Sequence, residues 1–224
     1  DSYQSYSYHL VVQRIHNFCV NQLGGVYLDI IKDRQYTTQQ NSEIRRSAQT
    51  AMKLMVDQLV ILVAPILSFT AEEIWQNDAD LTSNKASVFL AELSPIPDFV
   101  SNLDHEDWGR LLEIKDTVNQ KIEESRNSGE IKGSLDTDIE LTVNLSDFQL
   151  LNNLSTELHF FLIVSSCKLI QGGNLEVNIS QSTFEKCTRC WHRNDSVSKS
   201  LKHPELCNRC EINIDGAGEE RAFA

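Results

Sequence analysis

The sequence runs to 224 residues with 41% hydrophobic side chains, enough to bury a core and to form one or two domains with a small appendage. A net charge of −12 excludes bulk, sequence-blind binding to a phosphate backbone. The longest apolar run, residues 59–67, is interrupted by Pro65 and is too short for a membrane-spanning helix.

The opening DSYQSYSYHL has neither a basic leader nor a hydrophobic signal core, which predicts a cytoplasmic protein without a membrane partner. Residues 9–33 read as helix, with Val11, Val12, Ile15, Phe18, Cys19, Leu23, Tyr27, Ile30 and Ile31 forming one apolar stripe. Gly24–Gly25 is expected to bend or break it into two. Thr37–Asn41 is a loop, and Ser42 is the N-cap expected for a long second helix that stops near Pro65. Thr70 and Glu73 have capping-box spacing and predict a short helix ending near Trp75. Helices joined by short loops make residues 1–77 an antiparallel bundle, expected to be incomplete at its N-terminus.

Residues 78–103, with Pro95 and Pro97, read as an irregular connector. A helix follows from about Asp104 to Arg126, with Trp108, Leu111, Leu112, Lys115, Val118 and Ile122 on one side and a stop at Asn127–Gly129. The period then changes to two: Ile139, Leu141, Val143 and Leu145 alternate with polar residues, and Leu175, Val177 and Ile179 alternate again. Between them lie a short helix at about 148–157 and the apolar run 161–166. Residues 104–180 are therefore a small α/β unit, and Trp75, Trp108, Phe160 and Phe161 are expected in cores.

Residues 181–224 carry seven basic and seven acidic side chains, so the whole −12 falls on residues 1–180. This segment reads C-T-R-C at 187–190 and C-N-R-C at 207–210. Each pair can curl as a knuckle, and two knuckles complete the tetrahedron that suits Zn²⁺, although spacing alone leaves iron open. Cys187, Cys190, Cys207 and Cys210 would fill the coordination sphere, so the site is structural, with His192 and His203 beside it as non-ligands. The other cysteines, Cys19 and Cys167, stand alone in apolar segments, as suits a reducing compartment. A segment this short lacks a large core, and metal binding must supply its folding free energy, about 10–16 kcal/mol in comparable peptides.

The segments HNFC (16–19), YLDIIKDRQYT (27–37), VAPILSFTAEEIW (63–75) and IKGSLD (131–136), followed by CTRCWHR, CNRC and the closing ERAFA, resemble the C-terminal part of bacterial-type isoleucyl-tRNA synthetases. The helical segments are shared in looser form with valyl- and leucyl-tRNA synthetases; the four-cysteine module after the α/β unit points to the isoleucine enzymes. The resemblance implies a mainly α fold: an antiparallel helical bundle of the anticodon-binding type, then a small α/β junction, then a Cys₄ zinc module. It also implies a parent protein that ligates isoleucine to tRNA using ATP. No H-I-G-H or K-M-S-K-S-like segment is present, so ATP and isoleucine would be bound by an upstream catalytic domain and this piece alone would be inactive.

The implied partner is the anticodon stem-loop of tRNA. Such loops are read by stacking on aromatics and Arg planes, with basic side chains on phosphates. Trp191, Arg189, Arg193 and Arg209 in the zinc module are candidate contacts, as are Lys32, Arg34, Arg45 and Arg46 at helix ends in the bundle. Competing assignments stand beside these: Trp191 packed on the metal-site core, Arg189 and Arg209 screening the metal centre, Lys32 and Arg34 paired with Asp29 and Asp33. The alternative function is a zinc-stabilised protein-interaction module whose acidic part binds a basic partner. A DNA-repair-type finger matches the last segment only.

Overall fold

The computed structural model describes residues 1–95 and 101–222. The chain forms two compact units, Asp1–Ile44 with Leu103–Ala224, and Arg45–Asn102.

In the first unit, α1 (Tyr8–Asn17) continues into a π-helical stretch, Phe18–Leu28, and then into α2 (Asp29–Thr37). The expected break at Gly24–Gly25 is instead a widened coil. A β-carbon at Gly24 would lie 3.0 Å from the Cys19 carbonyl oxygen, and one at Gly25 3.3 Å from that of Val20. Residues without side chains fit this coil, whose backbone bonds skip an extra residue.

The α/β part begins with α6 (His105–Ser128), whose N-terminus is closed by a reciprocal pair: Asp104 accepts from the Asp107 amide and Asp107 from the Asp104 amide. Gly129, at φ +82°, ends the helix in the left-handed conformation glycine tolerates best. Three strands follow, β1 (Thr137–Val143), β2 (Ser166–Gln171) and β3 (Glu176–Gln181), in the order β2-β1-β3. Leu141 is opposite Leu169 on the parallel side and Val177 on the antiparallel side. The parallel β1–β2 crossover carries α7 (Leu145–Asn152) and α8 (Leu158–Leu162), so the apolar run opens as helix before it becomes strand. Leu111, Ile114, Val118 and Ile122 of α6 share one core with Ile139, Leu141, Val143 and Phe161. Trp108, expected in this core, is 43% exposed, because the buried stripe begins one turn later at Leu111. Trp75, Phe160 and Phe161 are buried.

The second unit holds most of α3 (Glu43–Val63), then α4 (Ser68–Gln76) and α5 (Ala79–Asn84). The Thr70–Glu73 box does not form: α4 starts two residues earlier, and Thr70 lies inside its first turn. The supposed connector is partly ordered packing. Asp78 caps α5, and Val88 is buried against the Trp75 cluster, whose indole donates to the Lys85 carbonyl at 2.9 Å. Pro97 lies outside the described residues. No helix among the described residues is long and apolar enough to cross a membrane.

Candidate metal centre and nucleic-acid cleft

Cys187, Cys190, Cys207 and Cys210 come together with ligand atoms all within 4.8 Å of one another, and all four are buried. The Sγ atoms of Cys190 and Cys207 are 3.7 Å apart. A tetrahedron with metal–sulfur bonds of about 2.3 Å has sulfurs about 3.8 Å apart, so the donor set fits a structural zinc ion. The charge balance points the same way. Four buried thiols this close cannot all lose their protons against one another's charge. A divalent cation is what lets all four ionise at once. The two histidines stay outside the cluster. His192 Nδ1 lies 3.2 Å from the Cys190 carbonyl oxygen, and His203 Nε2 lies 2.8 Å from Asp215.

Local backbone bonds shape the first knuckle. The Cys187 amide donates to the His192 carbonyl at 2.9 Å, and the Trp191 amide to the Cys187 carbonyl at 3.0 Å. This loop holds Trp191 at φ +67°, a conformation that costs a non-glycine residue about 1–3 kcal/mol and persists only where its surroundings over-determine it. The result is an indole that is 61% exposed, not packed on the metal core.

Trp191 lines a cleft of about 660 Å³ whose other walls come from α2, α6 and the Ile163 turn. Across it stand Tyr36, 76% exposed, and Lys32, with Arg189 and Asn119 adding polar edges. Lys115, only 2% exposed, reaches the same cleft and donates to the Phe161 carbonyl at 2.7 Å. Burial pushes its pKa down to about 8. Tyr36 and Asn119 were not singled out in the sequence, and Lys115 was read there only as part of the α6 stripe. Tyr36 had a readable signal, an aromatic one turn beyond Lys32 on a charged helix face.

The other expected contacts divide. Arg189 is half-buried, its Nη1 3.5 Å from the Cys210 carbonyl oxygen. Lys32 is exposed and pairs with Asp29 at 2.5 Å. Arg34 is half-buried, and its pKa is lowered first by burial and then by Arg221. Arg45 and Arg46 open α3 in the other unit, half-buried and exposed respectively. Arg193 and Arg209 are not open surface cations. Arg193 donates to Asp136 at 2.7 Å, to the Phe184 carbonyl at 2.9 Å and, through its amide, to Ser165 at 2.7 Å, tying the knuckle to the sheet. Arg209 grips both Asp33 oxygens at 2.8 Å and lies over the Phe160 ring. Each helps to compensate a carboxylate held away from solvent, Asp136 beside Lys186 and Asp33 beside Arg221.

Residues 1–141 match the family model described as the anticodon-binding domain of tRNA ligase. The chain belongs to that family. Residues 184–212 match a second model, described as a zinc finger found in FPG and IleRS, and span the whole cysteine cluster. Among curated relatives, the isoleucine–tRNA ligases of Saccharophagus degradans and Teredinibacter turnerae are each 43% identical to the chain, covering 100% and 99% of it, and that of Legionella pneumophila (strain Paris) is 40% identical over 99%. The chain spans about a quarter of the length of these relatives, 25% in each case.

Proposed function

We propose that the chain is the tRNA-binding part of an isoleucine–tRNA ligase, and that its cleft receives unpaired bases of the anticodon stem-loop. The observation that carries this reading is Trp191, projected by a metal knuckle into a cleft that Tyr36 also faces. Two exposed aromatics on one cleft are a stacking platform, worth about 1–3 kcal/mol per base. The volume falls within the about 300–1,000 Å³ usual for ligand sites.

Arg189 and Lys32 supply hydrogen bonds at the rim, and Arg34, Arg45 and Arg46 are the remaining candidates for phosphate. Arg193 and Arg209 hold the knuckle in place. With −12 overall, selectivity rests on stacking and base edges more than on bulk attraction. The whole protein would join isoleucine to its tRNA with ATP in the cytoplasm, its catalytic domain lying elsewhere on the same polypeptide. This chain alone charges no tRNA.

The acidic total favours one other reading, a zinc-stabilised module that docks a basic protein. A gel shift with tRNA bearing an isoleucine anticodon, against the same tRNA with an altered anticodon, separates the two. Preference for the first tRNA is expected. Equal binding, or none, favours the protein-docking module.

A further inference from the structure

The stacking cleft is only as well formed as the spacing between its two sides, the knuckle that carries Trp191 and the helix α2 that carries Tyr36. The two are 155 residues apart in sequence, and no backbone ladder joins them. What joins them is a cluster of charges.

Arg209, inside the second knuckle, grips Asp33 of α2 through two bonds of 2.8 Å, and donates to Glu219 at 3.1 Å. Arg221 closes the same square: its Nη2 donates to Asp33 and its Nε to Glu219 at 3.0 Å. Two guanidiniums thus meet two carboxylates, and the Arg221 side chain is 1% exposed. Its guanidinium carbon lies 3.6 Å from the Phe160 ring centroid, with that of Arg209 at 4.9 Å. Phe160 and Asp33 are themselves walls of the cleft.

Residues 216–222 deliver Arg221 to this position by docking on either side of it. The Gln39 amide donates to the Gly216 carbonyl at 2.9 Å, and the Ala222 amide donates to Glu157 at 2.5 Å. Gly218, at φ +89°, passes so close to Gln39 that a β-carbon there would lie 2.8 Å from its Oε1. Asn213 of α9 (Asn208–Asp215), the helix that grows from the second knuckle, exchanges hydrogen bonds with Glu219 at 2.8 and 2.9 Å.

We infer that residues 216–222 are a strap that presets the cleft, with Arg221 as a positioning residue that holds the metal knuckle against α2. This deepens the RNA-binding reading and rests on it. Burial works against the Asp33 carboxylate, yet Arg209 and then Arg221 hold it far below the usual range, so the cluster keeps its charges across the physiological span. Zinc fixes the shape of the knuckle, Arg193 ties it to the sheet, and the strap sets it against α2. Without Arg221, Asp33 keeps Arg209, and Glu219 keeps Arg209 and Asn213, but the square is open. The knuckle, still tied to the sheet by Arg193, then samples other placements against α2. If it occupies the competent one only about a tenth of the time, the apparent Kd rises about tenfold.

The test is a mutant cycle on the zinc-loaded chain: wild type, Trp191→Ala, Arg221→Ala and the double variant, titrated with an RNA hairpin carrying an isoleucine anticodon. Arg221→Lys serves as the conservative control. Amide hydrogen exchange of residues 187–193 without RNA, together with zinc content, provides the second readout. The expected result is a loss of about tenfold for Arg221→Ala that shrinks below about twofold in the Trp191→Ala background, since the strap acts through Trp191. Exchange in 187–193 rises with zinc retained, and Arg221→Lys restores most of both. Equal losses in the two backgrounds, or unchanged exchange in 187–193, overturn the strap. A wild type that ignores the hairpin defeats the RNA reading instead, and the exchange result then decides the strap by itself.

Discussion

The α/β part and the zinc module pack side by side in one unit and reach order by different physical routes. The first has a contiguous core in which four positions of α6 meet alternate residues of β1, and each large apolar side chain buried there contributes about 1.5–3 kcal/mol. In the second, the buried apolar cluster is the four cysteines with Val197 and Leu206. Hydrophobic burial on that scale does not order some thirty residues against their conformational entropy. The difference teaches where rigidity at the cleft originates. One wall is held by ordinary packing, the other by a metal and a set of ion pairs.

The comparison is broken most completely at the metal. Cys187→Ser, or zinc removal by a strong chelator, should unfold residues 184–215 while leaving the α/β core intact. About 10–16 kcal/mol of folding free energy is linked to the ion, far more than the module can spare. Limited proteolysis and near-UV dichroism check this: cleavage confined to the zinc module is expected. Leu141→Ala is the mirror experiment, costing about 2–5 kcal/mol in the α/β core with zinc stoichiometry unchanged, as read by denaturant melts and metal analysis.

Lys115 sharpens the comparison from inside the packed wall. Its folded pKa of about 8 lies below the ordinary 10.5, so the unfolded chain holds the extra proton between those values. Stability therefore rises with pH across that window, and the burden of burying the charge is fully present below pH 8. Lys115→Met should stabilise the protein at pH 7, and its advantage over wild type should fade towards pH 10.5 in paired thermal melts. The smallest effect on folding comes from Trp191→Ala, a change of about 0.5 kcal/mol or less. The same substitution weakens hairpin binding by about 1–3 kcal/mol with zinc content unaltered.

What could be read from the sequence follows the range of the interactions. The cysteine spacing, the stripe on α6 and the alternation in β1 and β3 are local patterns, and each reappears as geometry, although Leu145 opens α7 instead of extending β1. The π-helical stretch at Phe18–Leu28 hides behind an ordinary helical period, with only the glycine pair to mark it. Arg193 and Arg209 looked like surface cations because their partners, Asp136 and Asp33, are 57 and 176 residues away. Spacing rules carry no information about such pairs. The Arg221 strap became visible only once α2, α6 and the knuckle stood around one cleft, whereas Tyr36 had a local signal, its place one turn beyond Lys32. Trp108 went the other way, since periodicity says which face of α6 is apolar but not where the sheet stops covering it.

Native mass spectrometry of the purified 25.5 kDa chain, run with and without brief alkylation, tests the metal-built wall most directly. The account predicts one zinc ion per chain, with Cys187, Cys190, Cys207 and Cys210 protected from the reagent until the ion is chelated. A folded, metal-free chain whose four thiols react at once would contradict it.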